Sequence, residues 1–308
     1  MLLPLALAPT APRSAPRSTP PPPSRAHHAS GCACADARNA LAATESDRNS
    51  TLRVVVVTPT TNRDDHFVPA VASAVRATLL HAQAFGYLVE HRIYLRRMDG
   101  STCTLWTRFS PHSRCICIAN YEQHRREHSP VIPPLFSRMF REAAADADVV
   151  AIIESDVVPQ ADTLSLMVSA IVSRRADVVA VPFGFAKGTG VAYYTSNGSG
   201  IICTHQPQYD GQLKPAWWMD FGCLAMVPSA SLLPMPITKM SCTMPHLVGS
   251  QNFVTSGFDV GWVKTVARGH RTRILDQRIR HLRAGTEHWA SSSVSITKGG
   301  ICGECSFV

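Results

Sequence analysis

Four successive valines at positions 54–57 constrain this chain more than any other feature. A β-branched run with no polar alternation describes a strand covered on both faces, as in parallel sheets. Thr58-Pro59-Thr60-Thr61-Asn62 breaks the run. Val68, Val71, Val75 and Leu79 then recur on one helical face. Residues 87–95 read as a second strand, 135–145 as a helix and 149–153 as a short apolar strand. Leu164, Met167, Val168, Ile171 and Val172 mark an amphipathic helix, with Asp162 placed to cap it. Residues 178–181 read as a further strand. Strand alternating with helix implies an α/β fold: a mostly parallel, Rossmann-like sheet with helices on both faces. Residues 100–134 hold no clean period and read as irregular. Later, 223–227, 273–275 and 279–282 read as short strands, and 258–267 as a helix stopped by Gly269.

With 308 residues, 45% of them hydrophobic and 17% charged, the chain has enough apolar content for one large core. The formal net charge is +8. Neither an aromatic-interleaved RNA-binding motif nor zinc-finger spacing accompanies it, so no nucleic-acid partner is expected. A diphosphate-bearing ligand would use a few of these cations. No apolar run approaches the roughly 20 residues of a membrane span. Residues 1–50 are rich in Pro, Ser, Ala and Arg, and read as a disordered leader or an organelle transit peptide. The expected organisation is this leader, one domain over 51–285, and a tail over 286–308. Ten cysteines occur. Cys115-x-Cys117 and Cys302-x-x-Cys305 do not form the matched pairs of a structural zinc site. The reading is free thiols in a reducing compartment, hence cytoplasm, with organelle targeting by the leader left open. Zinc or disulfide chemistry at Cys302 and Cys305 also stays open.

Open parallel sheets bind ligands at the carboxyl ends of their strands. Three strand ends carry polar, ligand-capable residues: Thr58 to Arg63, Asp99-Gly100-Ser101-Thr102, and Glu154-Ser155-Asp156. Two carboxylates as close as Glu154 and Asp156 both stay ionised most easily around a cation. Mn²⁺ or Mg²⁺ suits such oxygens and binds phosphate as well. The plainer alternative is a turn acid beside a helix cap.

Residues 147–159, Ala-Asp-Val-Val-Ala-Ile-Ile-Glu-Ser-Asp-Val-Val-Pro, resemble the metal-binding D-x-D segment of family-two-like GT-A glycosyltransferases. Thr58-Pro59-Thr60-Thr61-Asn62-Arg63 resembles their first-strand P-T-x-N-R loop. Asp99-Gly100-Ser101-Thr102 resembles their D-G-S-T segment. Gly257-Phe258-Asp259-Val260, Gly269 and His281 resemble their later helix, its terminating Gly and the following His. Each motif is short; their order from about Leu52 to Leu282 carries the resemblance. It implies a GT-A fold and transfer of a single sugar, with inversion, from a nucleotide-diphosphate sugar to an acceptor hydroxyl. Thr58, Pro59, Thr60, Asn62, Arg63 and Asp99 would serve the nucleotide sugar. Asp156 would be the main metal carboxylate. Glu154, where the family has Asp, would reach the ribose or the metal through water. His281 would complete the metal shell or touch the diphosphate, with Arg278 and Arg280 as further cations. Asp259 would be the general base. Phe258 stands where the family commonly has another carboxylate.

Each residue also has a plainer role. His281 alone could be a structural histidine, and Asp259 a helix-end acid. Of Trp217 and Trp218, at least one reads as core; Trp218 is the candidate for stacking on a sugar ring and Asp220 for holding an acceptor hydroxyl. The acceptor itself, whether glycan, protein or lipid, is not legible. The rival of another class is a catalytically inactive GT-A domain that binds a nucleotide or glycan. A sugar nucleotidyltransferase or dinucleotide enzyme would want glycines after the first strand, and residues 58–63 contain none. A processive synthase would carry Q-x-x-R-W and membrane helices.

Overall fold

The computed structural model describes residues 51–60, 67–95, 101–117, 132–182, 193–196, 201–205, 208–216, 221–234, 238–243, 252–257, 262, 265–266, 268–283, 286–289 and 301–307. The leader at 1–50 lies outside them. The elements run β1 (Arg53–Thr60), α1 (Val68–Ala84), β2 (Leu88–Leu95), α2 (Ser101–Phe109), β3 (Ser113–Cys117), α3 (Ile132–Ala144), β4 (Val149–Ile153), β5 (Val157–Val158), α4 (Thr163–Val172), β6 (Val178–Ala180), β7 (Tyr193–Ser196), β8 (Ile201–His205), β9 (Leu213–Pro215) and β10 (Cys223–Met226). After these come α5 (Pro228–Ser231), β11 (Thr238–Thr243), β12 (Asn252–Gly257), β13 (Thr272–Leu275), β14 (Arg280–Arg283), β15 (Thr286–Trp289) and β16 (Ile301–Phe307).

The four valines of β1 explain the layering. All are fully buried. Alternation sends Val54 and Val56 to one apolar cluster, with Val71 and Val75 of α1 and Leu164 and Met167 of α4. Val55 and Val57 enter a second cluster, with Phe136, Met139 and Phe140 of α3. Burial of such side chains stabilises by on the order of 1.5–3 kcal/mol each. Helix α1 buries the expected stripe of Val68, Val71, Val75 and Leu79. Gly86, at φ +88, supplies the left-handed residue that turns the chain into β2.

The main sheet has the order β3-β2-β1-β4-β10-β6-β13-β9. Strands β10 and β9 run antiparallel to their neighbours; the other six share one direction. This is the mostly parallel sheet with helices on both faces that the alternation implied. From β1 the chain steps outward to β2 and β3, then places β4 on the other side, with Val54 opposite Val149. The order reverses between β1 and β4, and the crevice beyond their carboxyl ends is where an open sheet binds its ligand.

Several elements differ from expectation. The stretch read as irregular contains α2 and β3. Helix α2 buries only Thr102 and Trp106 completely, so it shows no long apolar stripe. Cys103 of α2 and Cys115 of β3 form a disulfide, which corrects the free-thiol reading for that pair. Cys223 is free and buried. Residues 286–308, read as a tail, contribute β15 and β16. Strand β16 sits in a five-stranded sheet of order β12-β11-β16-β8-β7, antiparallel throughout. A small third sheet has the order β15-β14-β5.

Candidate active site

Strand β4 stops at Ile153 because the next residues turn. The Glu154 N–H donates to the Gly222 carbonyl at 2.9 Å, and the Val157 N–H returns to the Glu154 carbonyl at 3.1 Å. The chain re-enters as β5, which pairs antiparallel with β14 and sets His281 opposite Val157. The Leu282 N–H donates to the Asp156 carbonyl at 2.7 Å. That register brings His281 Nε2 to 3.1 Å from Asp156 Oδ2. The imidazole is almost wholly enclosed, whereas the Asp156 side chain keeps 21% of its surface exposed. Two residues 125 positions apart therefore meet at the carboxyl edge of the sheet, beside the β1–β4 crevice.

Strand β14 is held in place by an amide-centred network. Thr163 donates its hydroxyl to Gln277 Oε1 at 2.6 Å. Gln277 Nε2 donates to Asp162 Oδ1 at 2.6 Å and to Gln160 Oε1 at 3.0 Å. Gln160 Nε2 donates to the Arg278 carbonyl at 2.6 Å. Asp162 does occupy the N-cap position of α4, but its side chain makes no capping bond. Its carboxylate is spent on Gln277, which joins the start of α4 to the approach of β14.

Glu154 is half-buried. Burial, with the Glu154 charge adding to it, pushes the neighbouring Cys223 thiol up to about 12. Cys223 is thus a neutral core residue at neutral pH. Arg280 lies within β14. Arg278 is exposed, its guanidinium 5.9 Å from the Tyr209 ring centroid.

On the β1 side, Thr58 is fully buried and its hydroxyl is 2.9 Å from His91 Nε2. His91 Nδ1 is 2.6 Å from the Ser113 hydroxyl, which donates to Ser110 at 2.7 Å. With Ser113 donating onward, it accepts from His91 Nδ1–H, and Nε2 accepts from Thr58. This chain of four side chains knits β1, β2 and β3 from inside the sheet. Burial holds the His91 imidazole down to about 3, so it is neutral. Thr58 is therefore committed to the interior, and Pro59 and Thr60 are the described members of the motif nearer the strand end.

Asn62, Arg63, Asp99, Trp218, Asp220, Phe258 and Asp259 lie outside the described residues. Of the expected site residues that are described, Asp156 and His281 touch, and Glu154 adjoins them in the same turn. Sequence reasoning missed Gln277 and His91; each bonds to partners distant along the chain, and no local motif announces them. Among the described residues no group of three or more His, Cys, Asp or Glu is arranged to hold a metal ion. Asp156 and His281 are a two-residue donor set. The carboxylate suits a hard divalent ion whose remaining positions go to water and substrate phosphates, whereas the imidazole is a ligand more typical of transition metals. Among the described residues no helix is long and apolar enough to cross a membrane.

No protein-family model and no curated sequence matches the chain. Solved structures do. A TarS fragment (residues 1–349) from S. aureus superposes with TM-score 0.48 at 11% identity, over 77% of this chain and 60% of that one. Glucosyl-3-phosphoglycerate synthase of M. tuberculosis gives 0.36 at 16% identity, over 64% and 61%. A putative UDP-N-acetylglucosamine pyrophosphorylase of Entamoeba histolytica gives 0.39 at 9%, over 72% and 73%. The chain thus spans about three-fifths of the first two structures. The sheet is doubly wound, and its switch point faces an acidic turn after β4.

Proposed function

We propose that this chain transfers a single sugar from a nucleotide-diphosphate sugar to an acceptor hydroxyl, with a divalent ion and inversion at the anomeric carbon. The observation that carries the reading is the Asp156–His281 pair at the switch point. The pair brings a histidine from 125 residues away to the carboxylate of the turn that follows β4. The pyrophosphorylase likeness concerns fold; a nucleotidyltransferase reading still lacks its glycine-rich loop at 58–63.

In this scheme Pro59, Thr60, Asn62, Arg63 and Asp99 line the nucleoside side, and Thr58 supports them from beneath. Glu154 faces the ribose. Asp156 and His281 would hold Mn²⁺ or Mg²⁺, and such an ion would supply positive charge beside the leaving diphosphate. Arg278 and Arg280 add fixed positive charge on the same edge. Asp259 accepts the proton of the attacking hydroxyl, and Trp218 and Asp220 orient the acceptor.

The test is a panel of nucleotide sugars read by thermal shift and by turnover, with Mn²⁺ and with chelator. A ligand that binds the native state raises stability. Asp156→Ala abolishes the metal-dependent shift, and Glu154→Ala does less damage. Asp259→Asn keeps the shift but lowers kcat by about 10²–10⁴-fold, the usual worth of a general base. Full turnover in chelator would reject the metal assignment. Affinity without turnover for every donor and acceptor would make the chain a binding domain instead.

A further inference from the structure

Strand β16 carries two cysteines, Cys302 and Cys305, and each meets another cysteine across the sheet. Cys302 is in register with Cys203 of β8. Cys305 is in register with Cys242 of β11. Cysteines are 10 of 308 residues, so two such meetings on one seven-residue strand are not a product of composition.

The backbone decides among the chemistries open to these four residues. Positions three apart in a strand lie on opposite faces of the sheet. They are also separated by about 10 Å, at roughly 3.3–3.4 Å per residue. A disulfide requires Cα atoms within about 7 Å. Cys302 and Cys305 therefore cannot bond to each other while β16 is extended, and the C-x-x-C cannot act as a local redox pair. The same alternation places the Cys203–Cys302 pair on one face and the Cys242–Cys305 pair on the other. Four thiolates divided between two faces cannot close a tetrahedral shell around one zinc ion. Residues directly opposite in an antiparallel pair have Cα atoms about 4.5–5.5 Å apart, inside the disulfide window.

We infer that Cys203–Cys302 and Cys242–Cys305 are two disulfides that fasten β16 to both of its neighbours, one on each face of the sheet. The Cys103–Cys115 disulfide in the same chain is independent support, since it belongs to a protein that meets oxidant. Each bond forms by exchange with a low-molecular-weight disulfide such as oxidised glutathione. One cysteine thiolate attacks it and releases one glutathione thiol. The second cysteine attacks the mixed disulfide and releases the other. Two protein thiols lose two protons and two electrons, and the oxidant becomes two thiols. Both links close long loops, where cross-linking restricts the unfolded chain most.

The full chain, made in an oxidising compartment or refolded with reduced and oxidised glutathione, is blocked with N-ethylmaleimide in denaturant without reductant. It is then digested and mapped by mass spectrometry. The expected map contains the peptide pairs 203–302, 242–305 and 103–115, with maleimide on Cys223. Cys302→Ser should add one maleimide, on Cys203, and leave the 242–305 pair intact. If that variant fails to fold, the wild-type map alone decides. A 302–305 link overturns the inference. So does maleimide on all four residues while 103–115 is bonded, or one zinc per chain before blocking that maleimide releases.

Discussion

At the centre of the main sheet, β1 buries four valines on two faces, and no single contact dominates. At the edge, β9 is a three-residue strand with no fully buried side chain, held by its backbone pairing to β13 and by an ion pair. Lys214 pairs with Asp276, which is completely buried just after β13. Lys214 also reaches Asp210 Oδ2 at 3.0 Å, and the Gln208 N–H donates to Asp276 Oδ2 at 2.9 Å. Apolar burial spreads its contribution over many atoms and tolerates a defect. A buried ion pair concentrates it, because Asp276 left alone is a charge without water. The edge matters to the proposed chemistry, since Asp276 immediately precedes Gln277, the residue that anchors the approach to His281.

The contrast is open to direct attack. Lys214→Met should give the largest loss, about 3–5 kcal/mol, the usual cost of breaking a buried pair. Urea unfolding measures it. Combining it with Asp276→Leu should recover much of the loss, because an apolar pair of similar volume often matches a buried ion pair. A single-variant loss below about 1 kcal/mol would mean that solvent reaches Asp276 and that the edge is not held by this charge.

Ile152→Ala, in the centre of β4, should cost about 2–5 kcal/mol, the range for cavities in well-packed cores. Ile152 is fully buried against Val55 and Val57. Here a second apolar substitution nearby should not restore stability unless it refills the space. Rescue by an unrelated polar change would erase the distinction between centre and edge.

The centre does contain one titrating weakness, His91. Its folded-state value is held by burial near 3, below the ordinary value of about 6.5. The group is neutral when folded and takes up a proton when unfolded as pH falls below about 6.5. Its contribution is therefore whole above that pH and is lost progressively down toward about 3. The slope can reach about 1.4 kcal/mol per pH unit. Urea midpoints at pH 7, 6 and 5, for wild type and His91→Phe, isolate it. Parallel curves for the two proteins would place water at His91 and refute the buried, neutral imidazole.

The same contrast governs what the sequence discloses. Strands β1 and β4 and helices α1 and α4 are visible because their apolar spacing is local and their burial is nearly complete. Asp156 and His281 were legible as members of an ordered set of motifs. The Lys214–Asp276 pair, the Thr58–His91 bond and the Gln277 network were not, because each joins residues far apart and is fixed by register. Helix α2 and strands β7, β8, β11, β12 and β16 escaped for a related reason. They are short or mixed in polarity, and their pairing partners, not their own residues, make them strands.

The β5–β14 pairing has a consequence for the order of events during synthesis. Strands β1, β2 and β4 are available once the first half of the chain has emerged, and their contacts can close early. His281 meets Asp156 only after 125 further residues have been made. Contacts that close long loops form late. A ribosome-bound chain can thus hold β1, β2 and β4 together and yet present Asp156 without its partner. His281 joins the acidic turn only when the last third of the chain arrives, and a chain cut between β13 and β14 keeps every strand of the main sheet but lacks the β5–β14 edge.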